Sequence, residues 1–248
     1  MSRYAGVHAN PNGPGDARPT AHQIIRDENL EGQMTDKVTP QPSPHPFLIT
    51  GCSAGTSTET ARTLAKTGTN VFVGTRSLEK DQTVSSVRAA AESFLEKSHT
   101  LDVYICNAGV MLGITRWIRA AAYDELSRPF LLFYLLKEAL LEGTAQSPGF
   151  RSRVVNVSSN GHHHASEIQR YTSKEHRDGW ASNTVVMKFI KSPEQGASTT
   201  VLAAVGSEEA GFVSPEVQWE GVKKHAYDEE KESTLWELTL GALGIQQD

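Results

Sequence analysis

The pattern of apolar and polar positions becomes regular at Phe47. There FLIT (47–50) is a short unbroken apolar run followed by a Gly/Ser-rich turn, which predicts a buried strand. TETARTLAKTG (58–68) has helical composition and ends at Gly68, a residue suited to a helix C-cap. NVFVGTR (70–76) is a β-branched run that predicts a second strand ending at Arg76. SVRAAAESFLEKS (86–98) predicts the next helix, and LDVYICNAG (101–109) a third buried strand whose end is marked by Asn107 and Gly109. Two helices are expected around RWIRAAAYDEL and PFLLFYLLKEALL, with Pro129 in the first turn of the second. RVVNVSSN predicts a fourth strand at Val154–Val157. Strands alternating with helices predict an α/β fold with a parallel sheet.

After Ser159 the pattern weakens. HHHASEIQRYTSKEHRDGWASN has neither a helical face nor strand alternation and reads as loop, and TVVMKFI suits a strand or the start of a helix. SPEQGASTTVLAAVGSEEA predicts a helix opened by Ser192, Pro193 and Glu194, and a last helix is expected over Asp228–Leu240. The LWEL stretch at Trp236 is expected to pack on its own core rather than on a membrane or partner. Ahead of Phe47, residues 1–46 read as a lead-in with a short helix near Ala17–Leu30. It closes on TPQPSPHP, where alternating prolines favour an extended, stiff linker. A single domain over residues 47–248 is therefore expected.

Composition narrows the class. A chain of 248 residues with 38% hydrophobic and 21% charged residues has enough apolar material for one core. A net charge of −5 without a Lys/Arg cluster argues against nucleic acid as a partner. The longest apolar run, Phe130–Leu136, is far below the roughly 20 residues that cross a bilayer. The N-terminus has no apolar signal region, and Cys52 and Cys106 have no metal-ligand spacing, so reduced thiols in a cytoplasmic protein are expected. His162, His163 and His164 are consecutive and cannot converge on one ion, so no metal is expected.

The turn Thr50-Gly51-Cys52-Ser53-Ala54-Gly55-Thr56-Ser57, set between a strand and a helix, is where chemistry is expected. Such a turn brings backbone N–H groups and a helix N-terminus to a dinucleotide pyrophosphate. An ordinary Gly/Ser turn is the other reading. Arg76, ending the second strand, sits where an adenosine ribose is read, and its guanidinium suits a 2′-phosphate; the alternative is a solvated charge in a polar turn.

TGCSAGTS resembles the TGxxxGxG turn of the short-chain dehydrogenases/reductases, and CNAG at 106–109 resembles their NNAG motif. VVNVSS (154–159) resembles the strand that delivers their catalytic serine, here Ser159. Together with ICNAGVM, LLFYLLKEALL, SPEQGA and the LWELTL tail, these pieces resemble the retinol-dehydrogenase-like branch found in fungi and cover most of the chain. The resemblance implies a Rossmann-type doubly wound parallel sheet and NADP held by Gly51, Ser53, Gly55, Thr56, Ser57, Arg76 and Asn107. It also implies a Ser/Tyr/Lys catalytic set in which the lysine lowers the pKa of a general acid/base tyrosine.

The sequence departs from that family at several points. No YxxxK follows Ser159; the nearest pair, Tyr171 and Lys174, has a spacing of three. The chain passes from GWAS to NTVVMKFIKSPEQGA as though a catalytic helix and the next strand were absent. There is room for only one helix between Arg76 and Leu101, and AYDELSRPFLLF lacks the family's relay asparagine, so the sheet is expected to be incomplete. At Ser57 the third glycine of the turn is replaced, and its hydroxyl is expected to cap the helix or meet a phosphate. Two functions follow from these expectations. The first is an NADP-dependent oxidoreductase of a lipophilic alcohol or carbonyl substrate, with Ser159, Tyr171 and Lys174 as catalytic residues. The second is a non-catalytic nucleotide-binding or interaction module, or a truncated gene product. Whether the chain forms a homo-oligomer is left open.

Overall fold

A computed structural model describes residues 4–34, 45–75, 84–108, 118–158, 188–207 and 229–245. Strands β1 (Pro46–Thr50), β2 (Asn70–Gly74), β3 (Val103–Cys106) and β4 (Arg153–Asn156) form one parallel sheet in the order β2-β1-β3-β4. A 3-10 turn at Ala5–His8 and helices α1 (Ala21–Asp27), α2 (Thr56–Ala65), α3 (Val84–Leu95), α4 (Ile118–Gln146), α5 (Pro193–Val205) and α6 (Glu229–Leu243) complete the described elements.

Side chains on a strand alternate between its two faces, and in the central strands β1 and β3 both faces are buried. Phe47, Ile49, Val103, Ile105 and Val155 pack on one side with residues of α1, α2 and α5. Leu48 and Tyr104 face the other way, against Ala91 and Phe94 of α3 and Leu132, Leu136, Ala139 and Leu140 of α4. Each fully buried aliphatic or aromatic side chain of these cores contributes about 1.5–3 kcal/mol. Helices on both faces of a parallel sheet make this a doubly wound, Rossmann-type α/β fold: the parallel α/β layering is what the strand–helix alternation predicts, and the Rossmann type is what the family resemblance implies.

Three features differ from the sequence reading. Instead of two helices divided before Pro129, the chain forms one helix through it. Proline removes a backbone N–H and normally breaks a helix interior. Here the flanking segment is anchored to the sheet: Tyr104 donates its hydroxyl to the Pro129 carbonyl at 3.3 Å, and Leu131, Leu132 and Leu136 are buried.

The lead-in is also more than a polar approach. Tyr4, Ile24, Ile25 and Met34 belong to the same core as Phe47 and Val201, and the Tyr4 hydroxyl bonds Asp27 at 2.7 Å. Residues 35–44, which hold most of the proline run, lie outside the described residues. Finally, Leu235, Trp236 and Leu238 of α6 are exposed. Leu240 is buried, and Trp236 meets Phe130 edge-to-face at 4.8 Å.

The sheet is also pinned at the N-terminal ends of its strands. Asp102, fully buried just ahead of β3, accepts from His45 Nδ1 at 2.8 Å and from the Ser147 hydroxyl at 3.2 Å. Arg153 donates to the carbonyls of Ala203 and Gly206 at the end of α5 and lies over the Phe150 ring. Burial lowers its pKa from the ordinary arginine value.

Candidate dinucleotide site

In the order β2-β1-β3-β4 the chain passes from β1 outward to β2, then crosses back over β1 to β3. That reversal opens a crevice between the carboxyl ends of β1 and β3, the place where open α/β sheets bind ligands. The turn after β1 and the segment after β3 meet there. Gly51 has φ 79°, its N–H bonds the Gly74 carbonyl at 2.8 Å, and a Cβ on it would lie 2.7 Å from Ala108 Cα. Both the left-handed backbone and the close approach therefore require glycine.

Thr50 closes the same junction. Its hydroxyl oxygen accepts the N–H groups of Asn107 at 3.3 Å and Ala108 at 3.2 Å, and its hydroxyl faces the Ile105 carbonyl at 3.3 Å. Thr50-Gly51 and Asn107-Ala108, remote in sequence, thus form one structure, and Thr50 and Ala108 are its unassigned partners. Their position inside the two motifs was the available signal.

Past Gly51 the chain turns into α2. Gly55 is its N-cap, with φ 74° and ψ −142° and open space where a side chain would be. Ser53, Gly55 and Thr56 are exposed at this end, where a helix leaves its first N–H groups without intrahelical partners and carries the positive end of its dipole. A cradle that excludes a Cβ at Gly51, leaves Gly55 open and ends on a helix N-terminus fits a pyrophosphate.

Ser57 behaves otherwise than expected. It is buried, and its hydroxyl donates inward to the Gly51 carbonyl at 2.7 Å, with the Ala54 carbonyl at 3.2 Å. The hydroxyl therefore neither caps α2 nor faces a phosphate; it braces the turn from within, which is how the turn accommodates a Cβ at this position.

The two cysteines flank the crevice as protonated thiols. Burial pushes the Cys52 thiol up to about 11. Burial also raises Cys106 to about 11, against the lowering effect of its hydrogen bond with Tyr104. Neither is a ready nucleophile at neutral pH. The described residues hold no cluster of His, Cys, Asp and Glu that could bind a metal, and none of their helices is long and apolar enough to cross a membrane. Arg76, Ser159, Tyr171, Lys174 and the histidines 162–164 lie outside the described residues; β2 ends two residues before Arg76, and β4 three residues before Ser159.

No family model matches the chain. It is 32% identical over 338 residues to the short-chain dehydrogenase/reductase prx1 of Penicillium roqueforti, an alignment covering 99% of this chain and 96% of that protein. The chain belongs to the short-chain dehydrogenases/reductases. Because the alignment spans 338 positions and the chain has 248 residues, segments of the relative have no counterpart here. The human retinol dehydrogenase 11 is 32% identical over 139 residues, covering 47% of this chain and 43% of that one. Among solved structures, a metagenomic short-chain oxidoreductase in complex with NADP superposes with a TM-score of 0.42 at 17% identity, over 68% of this chain and 94% of that one.

Proposed function

We propose that this short-chain dehydrogenase/reductase is an NADP-linked oxidoreductase of a lipophilic alcohol or carbonyl compound. The observation that carries the reading is the crevice itself. Gly51 is pressed to the Ala108 backbone, Thr50 stitches the two strand ends, and the head of α2 opens at the point where strand order reverses. Gly51, Ser53, Gly55 and Thr56 would hold the pyrophosphate through backbone N–H groups, with Ser57 bracing the turn and Asn107 joining it to β3. A bound nicotinamide would supply or accept hydride.

Arg76 would read the adenosine ribose: it comes two residues after β2 in the sequence, and its fork suits the 2′-phosphate that distinguishes NADP from NAD. Ser159 would polarise the substrate oxygen, Tyr171 would transfer its proton, and Lys174 would favour the ionised tyrosine. The retinol dehydrogenase relative, whose name denotes a lipophilic alcohol, supports the substrate class.

A thermal melt with and without nucleotide tests the cofactor site. NADPH at about 100 times its dissociation constant should stabilise the chain by roughly 2.7 kcal/mol, a rise of several degrees, with a smaller rise for NADH. A melt unmoved by both nucleotides would refute the dinucleotide reading. A panel of alcohols and ketones turned over by the wild type and not by Ser159→Ala would support the catalytic assignment. Equal rates in the two would remove Ser159 from it.

A further inference from the structure

We infer that the N-terminal lead-in is a clamp that positions the phosphate-binding end of α2, a role that in its bearing on the cofactor rests on the dinucleotide reading above. The lead-in grips α2 from both ends. At the C-terminal end, the N–H groups of Gly32 and Met34 bond the carbonyls of Lys66 and Thr67 at 3.0 and 2.8 Å, directly after the helix. These bonds take up carbonyls that a helix end otherwise leaves to water.

At the N-terminal end the grip passes through α5. Gln195, 1% exposed, has its amide fully used between the two segments. Its oxygen accepts from Gly15 N–H at 2.8 Å and Ser192 N–H at 3.1 Å. Its nitrogen donates to the Arg18 carbonyl at 2.9 Å and to the backbone and carboxylate oxygens of Asp16 at 3.2 and 3.1 Å. The buried Arg18 guanidinium adds bonds to the carbonyls of Gly13, Lys188, Phe189 and Ile190 and to Asp16.

The next residue, Gly196, is where this latch meets the nucleotide turn. A Cβ there would lie 2.6 Å from Thr56 Cγ2, so α5 rests directly on the first residue of α2. Thr56 is β-branched and stiff at its first side-chain torsion, so it transmits a displacement of α5 instead of absorbing it. Burial of an amide with every hydrogen bond made fixes one geometry, because any slip leaves donors or acceptors unpaired. Gln195 and Arg18 are thus positioning residues: they touch no ligand and set where the α2 N-terminus stands relative to Gly51 and Ala108.

The test uses the full chain and two variants that perturb the latch differently. Gln195→Leu removes the amide, and Gly196→Ala leaves the amide but pushes on Thr56, while alanine favours the α5 helix over glycine. Phe94→Leu, in the core on the opposite face of the sheet, is the control for lost stability alone. Two readouts are taken: NADPH dissociation constants by fluorescence, and hydrogen exchange of the Glu59 amide, which bonds the Gly55 carbonyl across the first turn of α2.

Both latch variants should weaken NADPH about fivefold to tenfold and speed Glu59 exchange, beyond any change in Phe94→Leu. Thr56→Ser, which removes only the methyl group that the new Cβ meets, should restore affinity to Gly196→Ala. Glu59 exchange no faster in Gln195→Leu and Gly196→Ala than in the control would overturn the clamp. If the wild type binds neither NADPH nor NADH, the dinucleotide reading fails, and Glu59 exchange still decides whether the lead-in sets the head of α2.

Discussion

Replacing Gly51 and Gly55 one at a time by alanine separates two physical demands that a glycine-rich turn makes. Both glycines have positive φ, 79° and 74°, so each alanine pays for an unfavourable backbone. That cost is about 1–2 kcal/mol in the left-handed region, and about 1–3 kcal/mol in the region near φ 74°, ψ −142° occupied by Gly55. At Gly55 the new Cβ meets nothing within 4 Å, so the backbone term is the whole cost.

At Gly51 the Cβ would stand 2.7 Å from Ala108 Cα and 3.0 Å from its N. These are backbone atoms held by β3 and by Thr50, so the overlap is relieved only by prising β1 from β3. Such overpacking adds about 1–3 kcal/mol. Gly51→Ala is therefore expected to cost about 3 kcal/mol or more in urea titrations, and to lower Tm by about 6–12 °C at 2–4 °C per kcal/mol. A midpoint shift at unchanged m-value would assign the loss to the native state. Gly51→Ala no more destabilising than Gly55→Ala would refute the claim that the nucleotide turn is pressed against the Ala108 backbone.

Two further predictions concern buried polar groups. Asp102→Ala strips the acceptor from His45 and Ser147 in a fully buried site and should cost about 3–5 kcal/mol, read as a large drop in Tm, whereas a loss under 1 kcal/mol would mean those bonds are dispensable. Asp16 is the pH-sensitive member of the latch. Burial opposes its ionisation, but the Arg18 guanidinium and the N–H groups of Asn12 and Arg18 outweigh that and hold its pKa well below the ordinary 3.8. A lowered folded-state pKa contributes stability above the unfolded value and loses it as pH falls. The Tm advantage of wild type over Asp16→Asn should therefore be full at pH 6 and shrink from about pH 4 downward; an advantage constant to pH 3 would contradict the assignment.

Much of the architecture was legible because it depends on local pattern. FLIT, NVFVGTR and LDVYICNAG each coincide with an observed strand, Pro46–Thr50, Asn70–Gly74 and Val103–Cys106, the last two shorter than the run that predicts them, since short apolar runs between turn residues have few alternatives. Ser192, Pro193 and Glu194 marked the start of α5, which the structure closes with a capping box between Ser192 and Gln195. The glycine turn after β1 was legible as a motif because its glycines answer to backbone geometry. Pro129 misled: proline predicts a break from local cost alone, while burial of the adjoining leucines and the Tyr104 bond hold the helix through it.

What only the tertiary structure decided is pairing at a distance. Sequence determined that Gly51 follows one strand and that Asn107 and Gly109 mark the end of another; it did not determine that Gly51 meets Ala108, because contact between residues so far apart in the chain is set by strand order and crossover. The direction of the Ser57 hydroxyl depended on which carbonyls the folded turn brought within reach. The lead-in looked polar because Arg18, Asp16 and the glycines around them are polar residues, and nothing local distinguishes a solvated arginine from one whose hydrogen bonds are all made inside. Gln195 closes the capping box of α5, and its second set of partners, some 180 positions earlier in the chain, exists only once α1 and α5 pack together on the sheet.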